Sequence, residues 1–318
     1  MQSTNTATRS RGPSRRALRY QTCALLVAAG LAWGMTGRAH AAASHAVVEA
    51  VQLPAWVERN GQRRAAEPGA QLRAQDKAVT ADGSRMLLRM DDRSVIKLGE
   101  QTEFLIQSID TRRESTNASS EQRSAFKLIT GVFRYATDYT SKALGNRREV
   151  NLELATATVG IRGTDFWAMT DAAHDAVCVF EGKVAVERAA HPQISLDKPG
   201  AFWVVFTGQP EKPAGQATPD QLAKFIGQAE MQPGSGIVLQ GGRWRTVAAT
   251  LSSVVEAAGL RTRLQAAGYP ADMVARDGRH EVRINQLATR EDAEAVLRRL
   301  QSNSALGVTA GRVALASR

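Results

Sequence analysis

The sequence predicts two folded domains of different class: an all-β roll or sandwich, then an α+β plait of βαββαβ order with a four-stranded sheet. Three observations carry this. Residues 46–207 break into many short strand-like runs divided by turn residues, and none sustains a 3.6-residue apolar period through a whole helix. Beyond Trp244 two apolar stripes at helical spacing appear between strands. The first forty residues are a different material, basic and then apolar and then small. At 318 residues and 43% hydrophobic, the chain has the length for two domains and the substance for their cores.

The leader comes first. Arg9, Arg11, Arg15, Arg16 and Arg19 stand with no acid among them, an apolar run of 12 residues follows from Ala24 to Met35, and Ala39-His40-Ala41 is a small-x-small cleavage pattern. The run falls short of the roughly 20 residues that cross a bilayer. Residues 1–41 therefore read as a signal peptide cleaved after Ala41, with an uncleaved anchor as the alternative. Ser14-Arg15-Arg16 leaves a twin-arginine export route open. The expected location is the periplasm or cell envelope.

Residues 42–207 read as the β domain. Ala46–Val51 and Ala55–Arg59 are extended, Asn60-Gly61 and Pro68-Gly69 turn the chain, and Ser94–Leu98 alternates on a two-residue period. Ser108 to Ser124 is wholly polar apart from two residues and reads as a solvated loop. Strands resume at Phe126–Ile129, Gly131–Tyr135, Val150–Leu154, Phe166–Met169, Ala176–Phe180 and Lys183–Glu187. Residues 208–242 are rich in Gly and Pro and read as a linker with one short helix, capped by Thr218-Pro219 and apolar at Leu222, Phe225, Ile226 and Ala229. That helix is expected to pack on a neighbour, being too short to stand alone.

Residues 243–318 supply the plait. Trp244–Leu251 is extended, Ser253 caps a helix with Val254, Ala257, Leu260 and Leu264 inward, and Asp277-Gly278 joins two strands. Thr289 caps the second helix, and Val308–Leu315 is the last strand.

Charge narrows the partners. The formal +10 falls to +4 without the six arginines of 1–41; residues 42–207 balance to zero, and 243–318 carry +5 on arginine alone. An exported basic domain points to an anionic envelope polymer, not nucleic acid. No catalytic set stands out: His45, His174, His191 and His280 lack metal-ligand spacing, and no nucleophile motif or phosphate loop occurs. The chain is expected to be no enzyme and to need no cofactor or metal. Cys178 sits in an apolar strand and reads as a buried small hydrophobe.

Two motif sets resemble known families. Over roughly 46–207 the carriers are Gly69 to Thr80, Asp82-Gly83-Ser84, Asp92-Arg93-Ser94, Leu98 and Gly131-Val132-Phe133. They continue with Ala157 to Phe166, holding Gly160, Arg162, Gly163 and Thr164, and with Val179-Phe180-Glu181-Gly182-Lys183-Val184. This resembles the periplasmic FecR family domain, which implies signalling through a partner and, in members that carry one, a cytoplasmic anti-sigma segment. Nothing like that segment is expected before the apolar run. Gly160 and Gly163 are expected where a side chain is forbidden. Arg162 between them either binds a carboxylate or carbonyl with its planar fork or simply organises the β core.

Over 243–318 the carriers are Trp244 to Leu251 and His280 to Leu287, with Arg290 and Ala293 following in step. They resemble the SPOR domain, although Val247 stands where the common pattern has Gln. The resemblance implies a plait that binds septal peptidoglycan glycan stripped of stem peptides. Strand alternation is expected to turn Thr246, Ala248, Val282 and Ile284 to the helices and Arg245, Val247, Glu281 and Arg283 outward. Trp244, Arg245, Thr250 and Arg283 are then the candidate glycan-binding residues. A solvated arginine face with no ligand remains the plain alternative. Two readings of the whole stay open, a peptidoglycan-bound scaffold or sensor, and a periplasmic regulator of FecR type that contacts a partner protein.

Overall fold

The computed structural model describes residue 2 and residues 46–113, 120–137 and 147–316, so the signal peptide and its cleavage site lie outside the described residues. The described residues are mostly β, 51% strand and 16% helix, divided between a β domain and a C-terminal α+β region. The β domain contains β1 (Ala46–Gln52), β2 (Ala55–Arg59), β3 (Gln62–Ala65), β4 (Gln71–Leu72), β5 (Lys77–Thr80), β6 (Arg85–Met90) and β7 (Val95–Leu98). It continues with β8 (Glu103–Arg113), β9 (Ser120–Ala136), β10 (Arg147–Glu153), β11 (Thr158–Thr170), β12 (His174–Glu187), β13 (Ile194–Leu196) and β14 (Ala201–Phe206).

Long strands that change partner part-way shape this domain. The first half of β9 lies between β8 and a parallel β10, and the second half between β7 and β11. The change falls at Gly131, whose φ is +99° and whose missing Cβ would lie 2.5 Å from the Thr102 Cα. No other residue fits there. The bend also flips the buried face. Phe126 and Leu128 enter the main core before it, Phe133 and Tyr135 after it, and Val132 then faces a second core. Phe133 packs on Phe104 and Phe166 with ring centroids 5.4 and 5.7 Å apart.

The polar stretch from Ser108 to Ser124 is not the loop its composition suggests. β8 runs on to Arg113 and β9 starts at Ser120, antiparallel, with Asp110 opposite Arg123 and Arg112 opposite Glu121. The paired residues are nearly all polar, so the apolar alternation that marks a half-buried strand is missing. Residues 114–119 at its tip lie outside the described residues.

The stretch 208–242 packs along the β domain and carries β15 (Gly215–Gln216), α1 (Pro219–Ala229) and β16 (Ile237–Leu239). Thr218 caps α1 in a capping box with Gln221, and Pro219 opens it. The helix lays Phe225 on Trp167, ring centroids 4.2 Å apart, and closes a second core over Val132, Ala176, Cys178 and Ala229. Burial there pushes the Cys178 thiol up to about 12, as befits a small core hydrophobe.

The plait holds β17 (Trp244–Leu251), α2 (Val254–Ala266), β18 (Ala271–Arg276), β19 (Arg279–Leu287), α3 (Arg290–Ser302) and β20 (Arg312–Leu315). Its antiparallel sheet runs β20–β17–β19–β18. Both domains belong to one unit, Ser44–Arg318. β16 pairs with β1 on one side and meets β19 at Val238 and Leu287 on the other. Asp292, fully buried, accepts the Gly236 and Ile237 amides on one oxygen at 2.9 and 3.0 Å and caps α3 through Thr289 with the other. The Trp56 indole donates to the Ala266 carbonyl at 3.0 Å, and its ring fills the place a Cβ on Gly268 would take.

Asp292→Ala strands two buried backbone donors and removes a cap, each worth roughly 1–3 kcal/mol. Stability measured by urea unfolding on tryptophan fluorescence should fall by about 3 kcal/mol or more. An unchanged midpoint would remove Asp292 from the junction.

Candidate functional site

Both helices of the plait lie on one face of its sheet, against β17 and β19 among others. Thr246 donates its hydroxyl to the Ala293 carbonyl of α3, and Ala248, Val282 and Ile284 are fully buried on the same side. The opposite face is the candidate site. The Asp277-Gly278 turn sets Asp272 opposite Arg283 and Val274 opposite Glu281. Arg283 donates to both Asp272 oxygens at 2.9 and 3.3 Å, and the Asn285 amide adds a third bond at 2.9 Å. Arg312 pairs with Glu281 and lies 3.4 Å from the Thr250 hydroxyl.

Two of the four candidate glycan residues, Arg245 and Trp244, need correcting. Arg245 is only 7% exposed, because Ala314 of β20 pairs beside it and the Leu315 carbonyl accepts its Nε and Nη2 at 3.1 and 2.8 Å. It is a buried structural arginine, not a solvated fork. Val247 and Glu281 lie on that face as expected, where their neighbours leave them 1% and 6% exposed. Trp244, two residues before Thr246, lies on the helix side and packs against the core. Thr250 and Arg283 do reach the open face. They stand with Asp272, Asn285 and Arg312, which the sequence reading left out. Asp272 was within reach, since a two-residue turn at Asp277-Gly278 fixes its register with Arg283.

The glycine motif of the β domain is a joint, not a pocket. β11 and β12 are out of step between Arg162 and Phe166, where Gly163 adopts a φ of +61°. Gly182 sits against this bulge, and a Cβ there would fall 2.6 Å from the Gly163 carbonyl and from Thr164 Cγ2. The two halves of the motif are thus one close contact. Thr164 is buried, and its carbonyl accepts from the Thr137 amide and hydroxyl, both at 3.2 Å. Gly160 is different from the expectation: its φ is ordinary, and a Cβ would meet nothing nearer than 3.8 Å. Arg162 stands opposite Lys183, and its side chain lies outside the described residues.

The carboxylate-binding fork near this motif is Arg134. It holds both Asp165 oxygens at 2.9 and 2.7 Å and Glu230 at 2.7 Å, with its guanidinium carbon 5.0 Å from the Phe180 ring centre. Lys97 joins the same Glu230 oxygen, so this cluster fastens the end of α1 to the sheet. Among the described residues no three His, Cys, Asp or Glu side chains converge as a metal site requires, and no helix is long and apolar enough to cross a membrane.

A family model described as FecR protein matches residues 76–185, and one described as SPOR domain matches 240–310. The chain carries a FecR domain followed by a SPOR domain. Both are binding or regulatory domains without catalytic function, and both are typical of envelope proteins. No curated protein matches the chain. Two crystal structures of a candidate anti-sigma factor from Parabacteroides distasonis ATCC 8503 are similar. The first is 16% identical at a TM-score of 0.35, over 47% of this chain and 64% of that one. The second is 15% identical at 0.37, over 76% and 98%. At these scores the likeness bears on neither fold nor function.

The SPOR face has a pH signature. The Arg312 hydrogen bond holds the Glu281 carboxyl below its ordinary 4.5, outweighing the opposite push of burial. A carboxyl lowered by folding stabilises the fold above its unfolded pKa and loses that contribution as pH falls through the folded value. Acid unfolding should therefore steepen below about pH 4.5, and Glu281→Gln should flatten that part of the profile followed by circular dichroism. An identical profile would show that the pair contributes nothing.

Proposed function

We propose that this is an exported cell-envelope protein that binds peptidoglycan glycan through its SPOR domain and presents the FecR domain as a scaffold or sensor. The division is a signal peptide at 1–41, the FecR-like domain at 42–207, a connecting stretch at 208–242 and the SPOR-like domain at 243–318. One observation supports it above the others: the SPOR sheet leaves a helix-free face, with the Asp272 and Arg312 side chains 46% and 53% exposed. Thr250, Asp272, Arg283, Asn285 and Arg312 offer donors and acceptors in fixed positions, as recognition of sugar hydroxyls and acetamido groups requires. Septal glycan without stem peptides is the finer form of this reading. The protein performs no catalysis in it and uses no cofactor.

The FecR domain supports a second reading, a periplasmic regulatory component that contacts a partner protein. The two are compatible if the SPOR domain places the FecR domain at the wall.

Whole-chain variants are the right test, because β16 and Asp292 bind the domains together and cutting between them would expose that junction. Arg283→Ala removes a charge-assisted contact worth roughly 1.5–3 kcal/mol if made in the complex. It should lower retention on purified stem-peptide-free sacculi by about tenfold or more, with the melting temperature nearly kept. Arg245→Ala should lower the melting temperature instead. Unchanged retention of Arg283→Ala would remove the open face from glycan binding. Export with cleavage predicts an intact mass that starts at Ala42, and retention of residues 1–41 would make the leader an anchor.

A further inference from the structure

The β2–β3 hairpin turns at Asn60-Gly61, both at positive φ, the two-residue turn that joins tightly paired strands. Its register sets Val57 opposite Arg64 and Arg59 opposite Gln62, so these four side chains share one face. With Glu67 and Gln71 across from them they line a groove of about 460 Å³, within the ~300–1,000 Å³ of ligand clefts. β3 pairs with no strand but β2 among the described residues, α2 also packs against it, and Gln62, Arg63 and Arg64 are exposed.

The two groove arginines are set differently. Arg59 donates to both oxygens of the buried Asp76 at 2.7 and 2.5 Å and to the Gln71 carbonyl at 2.9 Å, while 43% of its side chain stays exposed. It is held in place before any ligand arrives. Arg64 is exposed and has no ion pair among the described residues, and Glu67 is the one acid on the groove wall.

The Arg64 guanidinium matches a carboxylate, and the primary amides of Asn60, Gln62 and Gln71 each present a donor beside an acceptor. A peptide backbone presents the same alternation. An unpaired edge strand adds main-chain groups of the kind that strand-adding peptides use. A polyanion without amides would leave those acceptors and that edge unused. We propose that this groove docks an extended acidic segment of a partner protein. The proposal rests on the reading of the FecR domain as a surface presented to a partner. Peptide binding is measured apart from sacculus retention, so the two readings fail separately.

The test uses the whole chain and a fluorescently labelled peptide of alternating Asp and Thr, followed by anisotropy at physiological ionic strength. An Asn-Thr peptide and inorganic polyphosphate serve as controls. The Asp-Thr peptide should bind, the Asn-Thr peptide should bind more weakly, and Arg64→Glu should lower affinity by about tenfold or more. Hydrogen exchange should slow at residues 62–65 when the Asp-Thr peptide is present. Arg64→Ala replaces the charge reversal if that variant melts lower than the parent, with the same direction of loss expected. Equal affinity for both peptides, full affinity in a folded Arg64 variant, exchange protection confined elsewhere, or competition by polyphosphate as strong as by unlabelled peptide overturns the proposal.

Discussion

A carboxylate sealed from water needs hydrogen-bond partners for its oxygens, and the two oxygens of Asp292 are met by separate parts of the chain. One oxygen takes the amides that lead into β16, and the other takes the cap of α3. With β16 bonded to β1 and touching β19, the backbone ladder of the FecR domain passes into the SPOR sheet. Trp56 against Gly268 and Arg299 on the Leu53 carbonyl close the same junction from the other side.

The second constraint is electrostatic. The SPOR segment carries a net +5, yet the arginines of its open face are not spare charge. Arg283 is committed to Asp272, Arg312 to Glu281, and Arg245 to the Leu315 carbonyl. A ligand on this face meets fixed dipoles and paired ions, so its affinity should depend on geometry more than on salt. Net charge by segment therefore says little about how a ligand would be held on this face.

What could be read from the sequence followed the range of the interaction. Turns and caps are local, and Thr218, Ser253, Thr289 and Asp277-Gly278 stand where their residue types require. The βαββαβ order and its helix-facing row were legible for the same reason. Trp244 was placed on the wrong face even though its own parity with Thr246 argued otherwise. Arg245 was misjudged because its burial depends on a strand that pairs from 70 residues away. The Arg134 cluster joins Asp165 and Glu230 across 31 and 96 residues, and no local period reports such a contact. The arms of β8 and β9 beyond Ile109 were missed because their polar sequence carries no apolar alternation to mark them as strands.

β16 is three residues long, and its consequence is mechanical. A flexible tether lets an anchored module and its passenger diffuse separately, so that the anchor sets only a local concentration. A strand shared between two sheets removes that freedom. Whatever the SPOR domain grips, the FecR domain inherits both its position and its orientation, and a pull on that ligand arrives at the β1–β16 hydrogen bonds as a load and not as slack taken up.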